Sequence, residues 1–289
     1  MVGSHLITIS PDYYGFGCTE DKLQAYCISH VNAQASVDAL LAAKKILSEL
    51  GIGWNDEVLY NIGYSQGAQT AMGVVRLIDE RYPDLKISCT IAGGGPYDIA
   101  ELYRLSFTPG APASPAIAIS LLMAYNTYSL LDIPLERLLL DPPLSQVDEY
   151  ILSKNYTRSE IDEAIGLATI SDICTSAVTD FSSSIAQRFL TVMEQDNLCT
   201  GWTPRTDEQI ILVHHTKDTT VPVVNASKLY QFLKAQGVQN VTYYVGDFGT
   251  IKGKPAHESG ASIMAMRFIN KVCTDLGMFP WIDPSNIIF

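Results

Sequence analysis

The chain has 289 residues, 19 Lys and Arg against 31 Asp and Glu, a formal net charge of −12 and 47% hydrophobic residues. This combination predicts a folded globular protein, because disordered chains combine low hydrophobicity with high net charge. The acidic balance argues against a nucleic-acid partner and against a polybasic contact with anionic lipid, since both require clustered Lys and Arg. At this length we expect one large domain, or one domain that carries a big insertion.

Membrane and targeting signals are not apparent in the sequence. The longest uncharged stretch, Leu105–Leu131, is interrupted by three prolines, and its apolar part is far shorter than the roughly 20 residues of a spanning helix. Residues 1–5 show no basic region followed by an apolar one, so no signal peptide is predicted. The six cysteines form no C-x-x-C pair, so zinc ribbons and thioredoxin motifs are not supported, and both disulfides and free thiols stay open.

The first third of the chain alternates between strand-like and helix-like segments. The predicted elements are, in order, strand His5–Ser10, helix Val31–Leu50, strand Glu57–Ile62, a helix from Ala68 to Ile78, and strand Lys86–Ala92. Such alternation is typical of a parallel sheet with helices on its faces. The class predicted from this pattern is therefore α/β.

The alternation of strands and helices stops between Gly95 and Asp207, where helical spacing of apolar residues dominates and no strand is predicted. After that stretch the predicted elements are strand Gln209–His214, helix Val223–Gln236, strand Asn240–Val245 and helix His257–Cys273. We therefore predict a core in two pieces, residues 1–94 and 208–289, separated by a largely helical cap over residues 95–207.

The sharpest motif is the G-x-S-x-G pentapeptide Gly63–Gly67, whose centre is Ser65. A strand that turns abruptly into a helix forces the central serine into strained backbone angles, and only small neighbours avoid a clash there. A predicted strand precedes this pentapeptide and an amphipathic helix follows it, as such a turn requires. The alternative is an ordinary Gly-Ser turn between two elements.

A serine nucleophile needs a base, and the base needs an orienting carboxylate. Asp218 follows one predicted strand and His257 follows the next, in the chain order Ser, acid, His of hydrolases built on this turn. Each residue taken alone has a plainer interpretation, Asp218 as a turn residue and His257 as a helix-starting surface residue. His214 and His215 are alternative bases, although they would reverse the order, and one of them is more simply a loop-packing residue.

These residues resemble those of the α/β-hydrolases, and more narrowly of the secretory lipase family, which includes fungal lipase A and related bacterial esterases. The residues that carry the resemblance are Asp12-Tyr13-Tyr14-Gly15-Phe16-Gly17, Gly63–Gly67, Gly93-Gly94-Gly95-Pro96-Tyr97-Asp98, Asp218 and His257. The resemblance implies an α/β-hydrolase fold with a helical cap and an esterase or lipase that forms an acyl-enzyme on Ser65. It also implies a small-molecule or lipid ester substrate, neither metal nor cofactor, and a secreted or periplasmic location.

Carried over by position, Ser65 is the nucleophile, His257 the general base and then acid, and Asp218 its orienter. The backbone N–H of Gln66 is one donor to the oxyanion. In the family the second donor comes from the loop after the third strand, and the first three strands have no counterpart here. We therefore expect this chain to be an N-terminally shortened version of a longer protein. The hydroxyl of Tyr13 or Tyr14 is a candidate substitute donor, although packing in the core or at the rim is their plainer role. Tyr64 is a further candidate for the oxyanion or substrate site.

Several alternatives stay open at this point. A serine peptidase or an acyltransferase uses the same three residues in the same order, and a hydrolase-fold fragment without catalysis is a third possibility. Leu105–Leu131 is either an apolar lid that contacts acyl chains or a lipid interface, or a buried helix of the cap. Gly93-Gly94-Gly95 lacks the spacing of a phosphate-binding loop, so close backbone approach near the active site is the preferred interpretation. The oligomeric state is not predicted.

Overall fold

A parallel four-stranded sheet organises the part of the chain that the structure describes. The computed structural model describes residues 6–53, 55 and 58–277. Within these residues the strands are β1 (Tyr60–Tyr64), β2 (Cys89–Gly93), β3 (Gln209–His215) and β4 (Asn240–Gly246). They lie in the order β1-β2-β3-β4, and each neighbouring pair is parallel. Their carboxyl ends therefore meet at one edge of the sheet, where ligand sites of open α/β sheets lie.

Helices occupy most of the remaining described residues. The α-helices are α1 (Ser29–Glu49), α2 (Gln66–Arg81), α3 (Ile99–Ser106), α4 (Pro115–Tyr128), α5 (Arg158–Ile165), α6 (Ile170–Ile173), α7 (Ser176–Thr179), α8 (Ser184–Gln195), α9 (Val224–Ala235) and α10 (Ala256–Asp275). Turns of 3-10 helix lie at Gly17–Thr19, Leu135–Arg137 and Leu144–Gln146, and a π-helical turn lies at Asp148–Leu152. Across the described ranges, no helix has both the length and the apolar character needed to span a bilayer.

The chain divides into two compact units, of which the first contains the sheet. Among the described residues this sheet unit takes in the chain up to Pro11, Ala33–Asp98, and everything from Leu198 onward. Alternate residues of β3 are buried on opposite faces: Leu212 packs in the cluster that includes α2 and α9, and Val213 in the cluster that includes α10. Burial of both faces explains why β3 has a continuous apolar run from Ile210 to Val213 without polar alternation.

The second, helical unit contains Asp12–Asn32 and Ile99–Asn197. It includes most of the predicted cap of residues 95–207, and also a segment that the sequence analysis assigned to the first core piece. Its helix ends carry ordinary capping signals. Ser114 caps α4 with Pro115 in the first turn, and Thr157 and Glu160 form a capping box at α5.

Helix α4 decides between the two interpretations of the uncharged stretch Leu105–Leu131. Its residues Ile119, Leu121 and Leu122 are almost completely buried in the core of the helical unit. A helix that is apolar on all sides is buried by the other helices of its unit. Charged side chains are rarely buried, which explains why this stretch contains none. The stretch is therefore largely a buried helix of this unit.

The first predicted strand, His5–Ser10, is wrong for the residues that the structure describes. His5 lies outside the described residues, and residues 6–10 contain no strand. Alternation alone does not make a strand, because strand formation needs a hydrogen-bonded neighbour, and β1 is paired only with β2 in the described sheet.

The other elements agree with prediction except at their ends. The strand predicted over Glu57–Ile62 is β1, shifted toward its carboxyl end, and Glu57 lies outside the described residues. Strand β2 likewise begins later than predicted, at Cys89. The predicted α/β class, a parallel sheet flanked by helices, is confirmed.

Candidate active site

Ser65 stands in the abrupt turn between β1 and α2. Its backbone has φ 56° and ψ −123°, a positive φ that residues with a side chain rarely adopt. Gly63 is required on one side of the turn, because a Cβ there would lie 1.9 Å from the carbonyl oxygen of Gly67. The pentapeptide therefore has its two glycines where the chain passes closest to itself, and the serine occupies the strained position.

Asp218 lies in the loop that follows β3 and is almost completely buried. Its Oδ1 accepts hydrogen bonds from the backbone N–H groups of Thr220 and Val221, each at 2.9 Å. Two backbone donors on one oxygen fix the plane of the carboxylate and leave Oδ2 for another partner.

His257 is that partner, in the first turn of α10. Its Nδ1 lies 2.6 Å from Asp218 Oδ2, and its Nε2 lies 2.9 Å from Ser65 Oγ. An ionised carboxylate can only accept, so the proton of the neutral imidazole belongs on Nδ1. The lone pair of Nε2 is then directed at the serine hydroxyl, so the arrangement can take a proton from Oγ.

The two histidines at the end of β3 have other partners. His214 Nε2 lies 2.8 Å from the carbonyl oxygen of Val221 and 3.5 Å from Asp218 Oδ2, and burial lowers the pKa of this imidazole. His215 Nδ1 accepts from the N–H of Lys217, and its Nε2 lies 3.1 Å from the carbonyl oxygen of Gly249. Each histidine thus contacts a loop beside the Asp218–His257 pair, as the loop-packing interpretation predicts for one of them.

The remaining predicted site residues have diverse surroundings. Gln66 is the first residue of α2, where the N–H groups have no acceptor within the helix. The hydroxyl of Tyr64 donates to the backbone carbonyl of His257. Tyr13 and Tyr14 belong to the helical unit, where the Tyr14 ring packs edge-on against Tyr128 with centroids 5.8 Å apart. A role of these two tyrosines in substrate binding stays a prediction.

Metal-binding and disulfide chemistry have no site in the described part of the chain. No group of His, Cys, Asp and Glu there has the arrangement that could hold a metal ion. The six cysteines are free thiols, and burial raises the pKa of Cys89 to about 11 and that of Cys174 to about 12. Such thiols stay protonated at neutral pH and are poor nucleophiles.

The parallel sheet and the strained serine turn between a strand and a helix define an α/β-hydrolase. A family model described as secretory lipase matches residues 4–271, and the chain belongs to that family. Both the predicted fold class and the predicted family are thereby confirmed. Membership classes the chain with the carboxylic ester hydrolases.

Solved structures of low sequence identity share the fold. A protein of Legionella pneumophila is 19% identical with a TM-score of 0.77, and the match covers 94% of this chain and 70% of that one. The rice cell wall degrading esterase LipA from Xanthomonas oryzae is 22% identical with a TM-score of 0.74, covering 89% and 69%. Candida antarctica lipase A in its closed state is 16% identical with a TM-score of 0.58, covering 89% and 57%. This chain thus spans between 57% and 70% of the length of these proteins. Among curated proteins, no sequence matches it significantly.

Proposed function

We propose that this chain hydrolyses carboxylic esters through an acyl-enzyme on Ser65. The observation that carries the proposal is the continuous chain of contacts from Ser65 Oγ through both nitrogens of His257 to Asp218, with bonds of 2.9 and 2.6 Å. A hydroxyl in such a chain is activated by the imidazole, and the carboxylate stabilises the imidazolium that forms.

The reaction proceeds in two halves. In the first, Ser65 Oγ attacks the ester carbonyl carbon, and its proton passes to His257 Nε2. The backbone N–H of Gln66, at the positive end of α2, stabilises the oxyanion. The C–O bond to the alcohol then breaks, and the alcohol leaves with the proton from His257. In the second half, water loses a proton to His257 and attacks the acyl carbon, and the acid departs as Ser65 regains its proton.

No step of this scheme uses a metal ion or a cofactor. Ser65 supplies the nucleophile, His257 carries the proton in both directions, and Asp218 holds the imidazole in the required tautomer. The family supports an ester rather than a peptide as substrate, and its description as secretory supports action outside the cell. Solved structures of this fold include a rice cell wall degrading esterase and a lipase, so we propose small-molecule and lipid esters as candidate substrates.

The decisive experiment combines active-site labelling with turnover. A fluorophosphonate probe should modify the wild-type chain at Ser65, and the protein should release p-nitrophenol from p-nitrophenyl esters. The Ser65→Ala variant should lose both reactions, whereas Ser145→Ala, a change at an exposed serine, should keep both. A series of acyl lengths from acetate to palmitate then separates esterase from lipase.

Peptide substrates and added alcohol acceptors test the two other enzyme classes. Hydrolysis of peptides in preference to esters would make the protein a peptidase, and transfer of the acyl group to an alcohol in preference to water would make it an acyltransferase. A folded wild-type protein whose Ser65 resists the probe would be a hydrolase fold without catalysis, and the proposal would fail.

A further inference from the structure

Tyr64 joins the two residues that exchange a proton in the proposed reaction. It directly precedes Ser65 in the chain, and its hydroxyl donates a hydrogen bond to the backbone carbonyl of His257. The ring also faces the imidazole, with centroids 5.2 Å apart at an interplanar angle of 52°. A phenol has a single proton to donate, and this bond uses it.

Three glycines make the space that this tyrosine occupies. A Cβ at Gly93 would lie 2.9 Å from Tyr64 Cδ2, and one at Gly94 would lie 2.7 Å from the phenol oxygen. A Cβ at Gly260, in α10, would lie 2.5 Å from the same oxygen. All three distances are shorter than carbon and oxygen atoms tolerate without displacement. The glycine run after β2 therefore serves close packing against Tyr64, which explains the motif that resembled a phosphate loop.

The phenol stays a donor over the whole range in which an esterase would be assayed. Burial raises the pKa of Tyr64 above its ordinary value, and the negative charges of Asp218 and Glu258 act in the same direction. Tyr64 is consequently neutral at neutral and moderately alkaline pH, and it cannot replace His257 as the base. Its contribution is a fixed hydrogen bond.

We infer that Tyr64 is a positioning residue that holds His257 in line with Ser65 Oγ, inside a slot formed by Gly93, Gly94 and Gly260. The inference rests on the proposed function. Tyr64 lies in the strand that ends at the nucleophile, and its hydroxyl contacts the first turn of the helix that carries the base. The hydrogen bond from Tyr64 to His257 therefore fixes the distance between Ser65 and His257, which are 192 residues apart along the chain. Proton transfer depends on that distance, because small misplacements of reacting groups have large effects on rate.

The principal test is Tyr64→Phe, which keeps the ring in the slot and removes only the hydroxyl. We expect kcat for a p-nitrophenyl ester to fall about 5- to 10-fold, the effect of one lost hydrogen bond, with KM unchanged. The rate of labelling by the fluorophosphonate probe should fall by the same factor, and the thermal unfolding midpoint should stay near that of the wild type.

The matched control is Tyr60→Phe, on the same strand. Its hydroxyl also makes a side-chain hydrogen bond, to Asp275, but on the exposed surface. This variant should keep kcat, KM and the labelling rate. An equal loss of rate in Tyr60→Phe would attribute the effect to β1 in general and would overturn the inference.

A double-mutant cycle tests the slot directly. In the wild type, Gly260→Ala places a methyl group against the Tyr64 hydroxyl, so kcat should fall. In the Tyr64→Phe background the conflicting oxygen is gone and the next atom, Cζ, would lie 3.5 Å away, so the same change should have little further effect. Additive losses in the two backgrounds would contradict the slot.

The remaining outcomes are also decisive. Full activity of Tyr64→Phe would show that the hydroxyl is dispensable. Loss of its fold would show that the residue is a core element. Either result overturns the inference. If the wild-type protein itself neither reacts with the probe nor cleaves esters, the proposed function fails, and this inference fails with it. A reactive wild type with an equally reactive Tyr64→Phe refutes the inference alone.

Discussion

Carboxylates are buried at both ends of the parallel sheet, but the groups that compensate their negative charge differ between the two ends. At the carboxyl end, Asp218 has a partner on each oxygen, two backbone N–H groups on Oδ1 and His257 on Oδ2. At the amino end, Glu208 directly precedes β3 and Asp79 lies near the end of α2, and both contact the single guanidinium of Arg205.

The amino end is the less satisfied of the two. Asp79 Oδ1 is 2.9 Å from Arg205 Nε, but off the direction of the N–H, so the contact is an ion pair without an aligned hydrogen bond. Glu208 Oε2 has no hydrogen-bond partner among the described residues. Burial raises the pKa of Glu208 to about 7, and the negative charges of Asp79 and Asp207 contribute in the same direction. Burial likewise raises the pKa of Asp79.

This difference shows how the same kind of buried group serves two purposes. A carboxylate with a complete set of donors keeps a fixed plane, which suits the orientation of an imidazole. Two carboxylates beside one cation retain an excess of negative charge, which a proton on Glu208 would relieve. We therefore expect substitutions at the carboxyl end to affect catalysis, and substitutions at the amino end to affect stability and its dependence on pH.

The largest effect is expected for Asp218→Asn. The amide can present N–H in place of an acceptor to His257 Nδ1, and the imidazole then loses the tautomer that directs a lone pair at Ser65. We expect kcat to fall about 10⁴-fold with little change in the thermal unfolding midpoint. Ester turnover and probe labelling measure the loss.

Asp247→Asn is the control for that substitution. Asp247 also lies beside a histidine, 3.6 Å from His215, but its side chain is exposed. Activity within about twofold of the wild type is expected. If Asp218→Asn kept most of the wild-type kcat, the buried carboxylate at the carboxyl end would not serve catalysis, and the proposed difference between the two ends of the sheet would be wrong.

The second prediction concerns stability at the amino end. Arg205→Ala removes the only cation that contacts both Asp79 and Glu208 in the described residues. It leaves the two buried carboxylates without a positive charge beside them, and only Asp79 keeps a donor, the backbone N–H of residue 205. We expect the free energy of unfolding at pH 8 to fall by about 3 kcal/mol, as for other broken buried pairs. Urea unfolding gives the value.

The comparison variant is Arg104→Ala, which breaks an exposed pair with Glu194. An exposed ion pair contributes little, so its loss should cost less than about 1 kcal/mol. Equal losses for the two arginine variants would mean that burial of the Asp79–Glu208 pair has no energetic consequence.

The smallest effect is the pH dependence of stability. The pKa of Glu208 is raised in the folded state from its ordinary value of 4.5 to about 7, so the folded state binds more protons than the unfolded state between these values. Stability from this group therefore decreases as pH rises from about 4.5 to about 7, and is constant above that range. Between pH 5 and pH 8 the expected decrease is on the order of 2–3 kcal/mol.

Glu208→Gln should remove this decrease and make the protein more stable than the wild type at pH 8. Urea unfolding at pH 5 and pH 8 measures both values, and Glu20→Gln, at an exposed position, is the control. The same loss of stability between pH 5 and pH 8 in Glu208→Gln and in the wild type would refute the assignment to Glu208.

Local sequence patterns were sufficient for the fold class, the family and the candidate trio. Gly63 and Ser65 are recognisable because the turn places steric demands on adjacent residues, and those demands are independent of the remaining chain. The periodicity of α2 and the apolar runs of the strands are similarly local, so they predict element type well and element ends less well.

Only the tertiary structure decided which distant residues meet and which strand has a neighbour. Residues 6–10 have the composition of a strand, but pairing is a property of two segments. The apolar stretch of α4 is compatible with a surface or a core, and burial in the helical unit decides for the core. The bond from Tyr64 to the carbonyl of His257 joins positions that no local pattern connects. Sequence periodicity and steric constraint determined the elements and the serine turn, whereas hydrogen bonds and packing between distant segments determined how the site is held together.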